Sequence, residues 1–525
     1  MGTDRSIGIL TILNIVGACI ALANSVLVAR FFGTGRGLEV YFAASTLQII
    51  VANLMQSGQL GEIFLPIYHR IVHADGRQAA QRAFAVLLNW MVLLVAGMSA
   101  GLWFAAPLLL RMLVPGFTSE DRLLGVDMFR CLLPLVAVQV GLSLVQTLAN
   151  AERWFGKPEA IGVGARGVIL IAIAALALPL GPWAMVAAVW CGHLIQLVGC
   201  LLMLGRMGYR HRLCLRQEGF SVRSVFARLF VTFGYVGATQ VYAVALNAGL
   251  SILPQGTYAV FKYVQRLYAK TNAVFLRPVS VVFFTHFSEA LARGGRNVEA
   301  LARSALARCL GIAALAMVAI VVGGEPLLAA LWGGERFGGE HLGLAARLLS
   351  VFYALLLASA LGLIARKTAM SLGMVGWQYI SASVVQLVSA ACAWRLIPAF
   401  DVTGAAATIA INAVGLAAAP LVILALRRRD AFAFYSFVGM GRWLLAAGAG
   451  LAAGFAVRAA VSGHLSAVAP GGTAVKLALA ALLAGCAVVT ALAAAWVVNV
   501  REVRQVCRRI RGRLGARRPV EKEAA

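Results

Sequence analysis

Apolar residues run in continuous stretches of about 20, the length a helix needs to cross a hydrocarbon core. Such stretches recur from one end of the chain to the other. They do not alternate with polar residues, which excludes a membrane barrel. The pattern predicts fourteen helical spans, centred near Ala18, Ile50, Val95, Val138, Ile169, Ile195, Ala238, Asn272, Ala313, Ala354, Val385, Ile411, Leu451 and Val488. The connections are short, and none holds an inserted soluble domain. Residues 7–28 are expected to be a retained first helix. Ala21-Leu22-Ala23 resembles a cleavage site, but the apolar region before it is too long for a signal peptide and Arg5 is offset by Asp4.

One span departs from the pattern. Residues 257–289, TYAVFKYVQRLYAKTNAVFLRPVSVVFFTHFSE, carry Lys262, Arg266 and Lys270 at intervals of four, which puts them on one face of a helix. A cation at the centre of a membrane helix costs roughly 2.5–3.5 kcal/mol on insertion scales. Three together therefore point to a wet cavity or an anion. The competing reading is ion pairing within the membrane, for which Glu39, Glu62 and Asp127 are the carboxylates available. Arg277 follows on nearly the same face. It either meets the ligand on the cytoplasmic side, pairs with Glu289, or snorkels to the surface. Arg166 is expected to snorkel. Asn53 and Gln56 in the second span can hydrogen-bond sugar hydroxyls or neighbouring helices, and His193 and His286 read as satisfied core histidines.

Charge adds orientation. Of the 525 residues 61% are hydrophobic, yet the net charge is +26. The basic residues gather in alternate connections: Arg70, Arg77 and Arg82; Arg153 and Lys157; Arg206 to Arg223; Arg293 and Arg296; Arg366 and Lys367; Arg427 to Arg429; and the tail from Arg501. Arg30, Arg36, Arg111 and Arg122 are exceptions on the other side. The positive-inside rule then places both termini in the cytoplasm. No basic soluble module exists, so nucleic acid is not expected as a partner. The nine cysteines are scattered, with no C-x-x-C pair, and read as small core residues. The run Gly33-Thr-Gly-Arg-Gly37 follows a membrane helix rather than a strand, so it reads as a tight turn and not a phosphate loop.

The chain also repeats. Pro107-Leu-Leu-Leu-Arg-Met-Leu-Val-Pro-Gly-Phe117 recurs as Pro326-Leu-Leu-Ala-Ala-Leu-Trp-Gly-Gly-Glu-Arg-Phe337, and the same shift carries Phe64 onto Phe283. The repeat unit has six spans, and an even number repeats in the same orientation. The expected fold is an all-α polytopic membrane protein with two six-helix lobes around a central cavity, plus two C-terminal helices. Its parts are an N-terminal lobe over 1–205, a basic amphipathic linker over 206–228, a C-terminal lobe over 229–430, two helices over 431–500, and a basic tail over 501–525. In the tail, Val500, Val503, Val506, Ile510 and Leu514 fall at helical spacing. It is expected either to lie on anionic lipids or to remain solvated.

Several of these stretches resemble one family. Val28-Ala-Arg-Phe-Phe-Gly33, Glu39-Val-Tyr-Phe-Ala-Ala44 and Gly58-Gln-Leu-Gly-Glu-Ile-Phe-Leu-Pro-Ile67 are similar to the first two helices of the MurJ/MviN lipid II flippases. Leu253-Pro-Gln-Gly256 through Tyr263-Val-Gln-Arg-Leu267 is similar to the seventh and eighth, and Pro326-Leu-Leu to Gly334-Glu-Arg-Phe337 to a later family motif. The resemblance implies a flippase of polyprenyl-pyrophosphate-linked sugars, working by alternating access in the bacterial inner membrane. It implies that Arg266 lines the cavity and that Glu39 and Arg30 occupy the family's acidic and basic positions. The family's cavity arginines in helices one and two correspond to Ala18, Asn24 and Ala52, and its acidic residue in the second helix to Ser57. Positive charge is thus shifted towards the second lobe, which points away from lipid II itself and favours a relative that handles another polyprenyl-linked glycan, such as an exopolysaccharide precursor.

A pyrophosphate needs cations to enter hydrocarbon. Arg266, whose fork matches phosphate oxygens, is the main candidate contact, with Lys262 and Lys270 beside it as point charges. Arg30, Glu39, Arg277 and Asn53 complete the candidate site. No cofactor is expected; a coupling ion or the membrane potential would supply the energy. The protein is expected to act as a monomer. A cation-coupled drug antiporter is the alternative, and it would need buried carboxylates. An enzyme would need an outer loop with acid–base residues, where only Glu335, Glu340 and His341 are at hand.

Overall fold

The structure is a computed structural model. It describes residues 3–504 except 57–59, 153, 155, 218–219, 293–297, 335, 434, 436, 469–471, 499 and 501–502. Nearly all of the basic tail therefore lies outside the described residues. The chain divides into two compact units. The first comprises Met1–Tyr263, Gly334–His341 and Tyr379–Asn412; the second comprises Val264–Gly333, Leu342–Gln378 and Ala413–Ala525.

The first unit holds α1 (Thr3–Phe32), α2 (Arg36–Gln56), α3 (Leu60–Leu113), α4 (Ser119–Leu132), α5 (Pro134–Ala151), α6 (Gly156–Leu180), α7 (Trp183–Arg206) and α8 (Val222–Ser251). It also holds the start of α9 (Thr257–Thr271). Local chemistry sets the ends. Thr118 and Asp121 form a reciprocal capping box that starts α4. Pro134, which has no N–H to give, separates α4 from α5. The expected loop between the second and third spans is instead helix, interrupted only at Gly76 with φ 83. There Glu152 accepts from Tyr68 Oη at 2.5 Å and pairs with Arg77 at 2.9 Å, fastening the end of α5 to α3.

The linker after α7 also differs from expectation. Residues 210–216 form an extended strap, not an amphipathic helix. Asn89 Nδ2 donates to the carbonyls of Arg212 and Cys214 at 3.0 and 2.9 Å. Trp90 Nε1 donates to Leu215 O, and Gln217 Nε2 to Ala79 O. Donors on α3 thus satisfy carbonyls that a helix would have bonded internally. The arginines 210, 212 and 216 follow period two rather than 3.6.

The second unit continues α9 into a π turn (Asn272–Leu276), then α10 (Arg277–Ala292), α11 (Val298–Leu331), α12 (Gly339–Ala354) and α13 (Leu356–Ser371). Then come α14 (Val375–Arg427), the short α15 (Arg429–Phe432), α16 (Phe437–Val468) and α17 (Thr473–Val497). The helix α14 has 53 residues and breaks at Phe400 and Asp401, the latter at φ 52, so it contains two expected spans, the first of them in the first unit. Among the described residues, twelve stretches are long and apolar enough to cross a membrane. With the second half of α14 and the 30-residue α8, they account for every predicted span.

Small residues bring α11, α16 and α17 together. A Cβ on Gly450 would meet Ala491 Cβ at 2.7 Å and Ala487 O at 2.8 Å. Close backbone approach of this kind is what associates helices in lipid, where no hydrophobic drive exists. Gly450→Leu is expected to destabilise the protein by about 1–3 kcal/mol through overpacking, read as a lower thermal midpoint in detergent. An unchanged midpoint would show that this contact is not tight.

Candidate functional site

The helix α9 is built as its sequence requires. Gly256, at φ 92, makes the turn before it, and a Cβ there would overlap the His341 ring. Its first turn is capped from far away in sequence. Glu39, wholly buried on α2, accepts from Gly256 N at 2.9 Å and Ala259 N at 3.2 Å through Oε1. A carboxylate at a helix N-terminus satisfies orphan donors and complements the helix dipole. The other oxygen of Glu39 accepts from Arg36 Nη1 at 3.0 Å. Arg36 Nε bonds Asp121 at 2.9 Å, and its guanidinium lies 4.3 Å from the Phe117 ring. A buried charge needs this degree of pairing. The result is an unbroken polar chain from the cap of α4 to the start of α9.

Further contacts hold the same corner. Tyr263 Oη donates to Gly33 O at 3.2 Å. Its ring packs against Phe42 and Phe337, both at 5.7 Å. Arg336 donates to Phe31 O, and its own carbonyl accepts from Thr34 N at 3.4 Å. Gly33 sits at φ 57, where a side chain would overlap the Arg336 backbone.

The basic stripe divides between a buried and an exposed part. A spacing of four drifts by about 40° around the axis, so Lys262 and Lys270 do not point the same way. Lys262 is 7% exposed, with Nζ 5.2 Å from the Tyr258 ring centroid. Tyr258 Oη in turn donates to Asn247 at 2.8 Å. Arg266 and Lys270 are exposed. Beyond them Thr271 bonds Tyr353 at 2.5 Å and Tyr268 bonds Ser359 at 2.9 Å. The π turn follows directly and shifts the register ahead of Arg277, whose side chain lies outside the described residues. π turns recur at functional positions in helices.

The other candidates are dispersed. Arg30, in the last turn of α1, and Asn53, on α2, are exposed. Ala18 and Ala52 are uncharged, and the buried Asn24 Oδ1 has no partner among the described residues. Arg166 pairs with Glu159 at 3.4 Å, and its guanidinium occupies the space left by Gly17 on α1. A positive charge therefore does reach α1, supplied by α6. The sequence signal for it was the missing side chain at Gly17.

The family model for lipid II flippase MurJ matches residues 28–466. The chain belongs to the lipid II flippase MurJ family. A probable lipid II flippase MurJ from Rhizobium tropici is 22% identical over an alignment of 351 residues that covers 63% of this chain, and the chain spans 63% of that relative's length. A solved structure of lipid II flippase MurJ in an inward closed conformation superposes with a TM-score of 0.74 at 14% identity, covering 92% of this chain and 98% of that one. An inward-facing multidrug resistance MATE family transporter of the MOP superfamily reaches 0.64 at 15% identity, over 81% and 98%. These structural likenesses establish the all-α polytopic membrane fold. The MurJ-family match also agrees with the resemblance seen in the motifs around Arg30, Glu39 and Arg266.

Proposed function

We propose that the chain is a transporter, not an enzyme, that flips a polyprenyl-pyrophosphate-linked saccharide across the bacterial cytoplasmic membrane. The substrate is lipid II or a related lipid-linked glycan of cell-wall or polysaccharide export, moved from the inner to the outer leaflet. Movement is by alternating access between lobes over 1–205 and 229–430, with both termini cytoplasmic. The observation that carries this reading is the exposure of Arg266 and Lys270 on a membrane helix of a MurJ-family protein. Cations on a helix long and apolar enough to cross a membrane suit a pyrophosphate. Arg266 takes the phosphate oxygens, with Lys270 and Lys262 adding charge and Arg277 contributing on the cytoplasmic side. Arg30 and Asn53 are further headgroup contacts in this reading, and Glu39 contributes by holding the start of α9.

The protein works as a monomer, draws on a coupling ion or the membrane potential, and rests its basic tail on anionic lipids. Purified protein in liposomes is expected to move a fluorescent polyprenyl-pyrophosphate saccharide between leaflets at a rate above protein-free liposomes. Movement of cationic dyes alone would favour the antiporter reading instead.

A further inference from the structure

The first unit carries a second polar surface, remote in sequence from α9. Gln139, Ser143 and Gln146 fall at i, i+4 and i+7 on α5, and His193, Gln196 and Cys200 at i, i+3 and i+7 on α7. Each set forms one face of its helix. The two faces line a single cavity of about 270 Å³. One wall is pre-set. Gln48 Nε2 donates to Gln139 Oε1 at 2.8 Å, and Gln139 Nε2 lies 3.0 Å from His193 Nε2. His193 Nδ1 lies 2.8 Å from Val189 O. That carbonyl can only accept, so Nδ1 carries the proton and Nε2 accepts from Gln139. The neutral imidazole and both amides are thereby oriented. Ser143 and Gln196 are half-buried and Gln146 is exposed at the rim, and among the described residues none of the three has a side-chain partner.

Polar groups without partners are costly inside a membrane. Here amides, a hydroxyl and a neutral imidazole converge with no carboxylate or cation among them. An ion would find no counter-charge, and an apolar group would leave the amides unbonded. We propose that this cavity is a binding site for an uncharged saccharide residue, held through its hydroxyl and acetamido groups by Gln139, Ser143, Gln146 and Gln196. It rests on the flippase reading only in that the saccharide would belong to the carried lipid.

Cys200, buried at the cavity wall, reports occupancy. Full-length protein in detergent is treated with methyl methanethiosulfonate, and modification of Cys200 is followed by mass spectrometry with and without N-acetylglucosamine. The exposed Cys131 is the internal control. Occupancy slows Cys200 by one plus the ratio of sugar concentration to its dissociation constant, so about threefold at twice that constant. Cys131 should be unaffected, and Gln196→Met and Gln139→Met should abolish the protection. Equal slowing by ethylene glycol, no slowing, protection that survives Gln196→Met, or a Cys200 that the reagent never reaches would each overturn the site. Transport in liposomes without protection removes this cavity and leaves the flippase. Protection without transport does the reverse.

Discussion

Arg266→Ala is expected to reduce flipping in liposomes to near background while leaving the amount of protein in the membrane unchanged. A hydrogen bond to a charged group contributes about 1.5–3 kcal/mol. Its loss lowers the rate at limiting substrate by roughly ten- to a hundredfold. The fold should tolerate the change, because Arg266 is exposed and substitutions at such positions usually stay within about 0.5 kcal/mol. Arg266→Lys keeps the charge but loses the fork, so it should retain part of the activity. Lys270→Ala should fall between the two, as a point charge beside the main contact. Full activity in Arg266→Ala would remove the stripe from the transport path.

Glu39→Gln is expected to weaken both folding and transport without Glu39 touching substrate. The amide can still accept from Gly256 and Ala259, but its NH₂ must then face Arg36, which approaches to 3.0 Å as a donor. The buried ion pair and the charge at the N-terminus of α9 are both lost. The expected cost is about 1.5–3 kcal/mol, read as a fall in the thermal midpoint. The double variant with Arg36→Met should fall by less than the sum of the two single changes, since the partners act as a pair. Glu39→Asp should recover part of the loss by keeping the charge on a shorter arm. A Glu39→Gln protein with unchanged melting and unchanged flipping would show that the cap does not hold α9.

The stripe was legible because periodicity is local: three cations four residues apart can share only one helical face. What the sequence concealed was which end of the stripe is covered: Lys262 is buried, while Arg266 and Lys270 are exposed. The cap on α9 was not legible at all, since Glu39 and Gly256 are 217 residues apart. Glu39 had read as a possible ligand contact or an ion-pair partner for the stripe. The helices themselves were legible from continuous apolar runs, although Gly76 bends what had read as a loop. The strap over 210–216 was only partly legible: its arginines fall at even spacing, but the donors Asn89 and Trp90 that hold it extended lie over a hundred residues away. His193 read as an ordinary core histidine, and its alignment with Gln139 depends on packing between α5 and α7.

The π turn at Asn272–Leu276 has a bearing on how one membrane helix can serve two purposes. A residue is worth about 100° of rotation, so the surplus residue in a wide turn acts as a phase shifter. Before it, α9 aims its cations by one rule. After it, α10 seats Phe283 against Phe287, ring centroids 5.1 Å apart, at an azimuth chosen separately. Deleting one residue from the turn would close it into a regular spiral, so that α10 follows α9 in one unbroken 3.6-residue register.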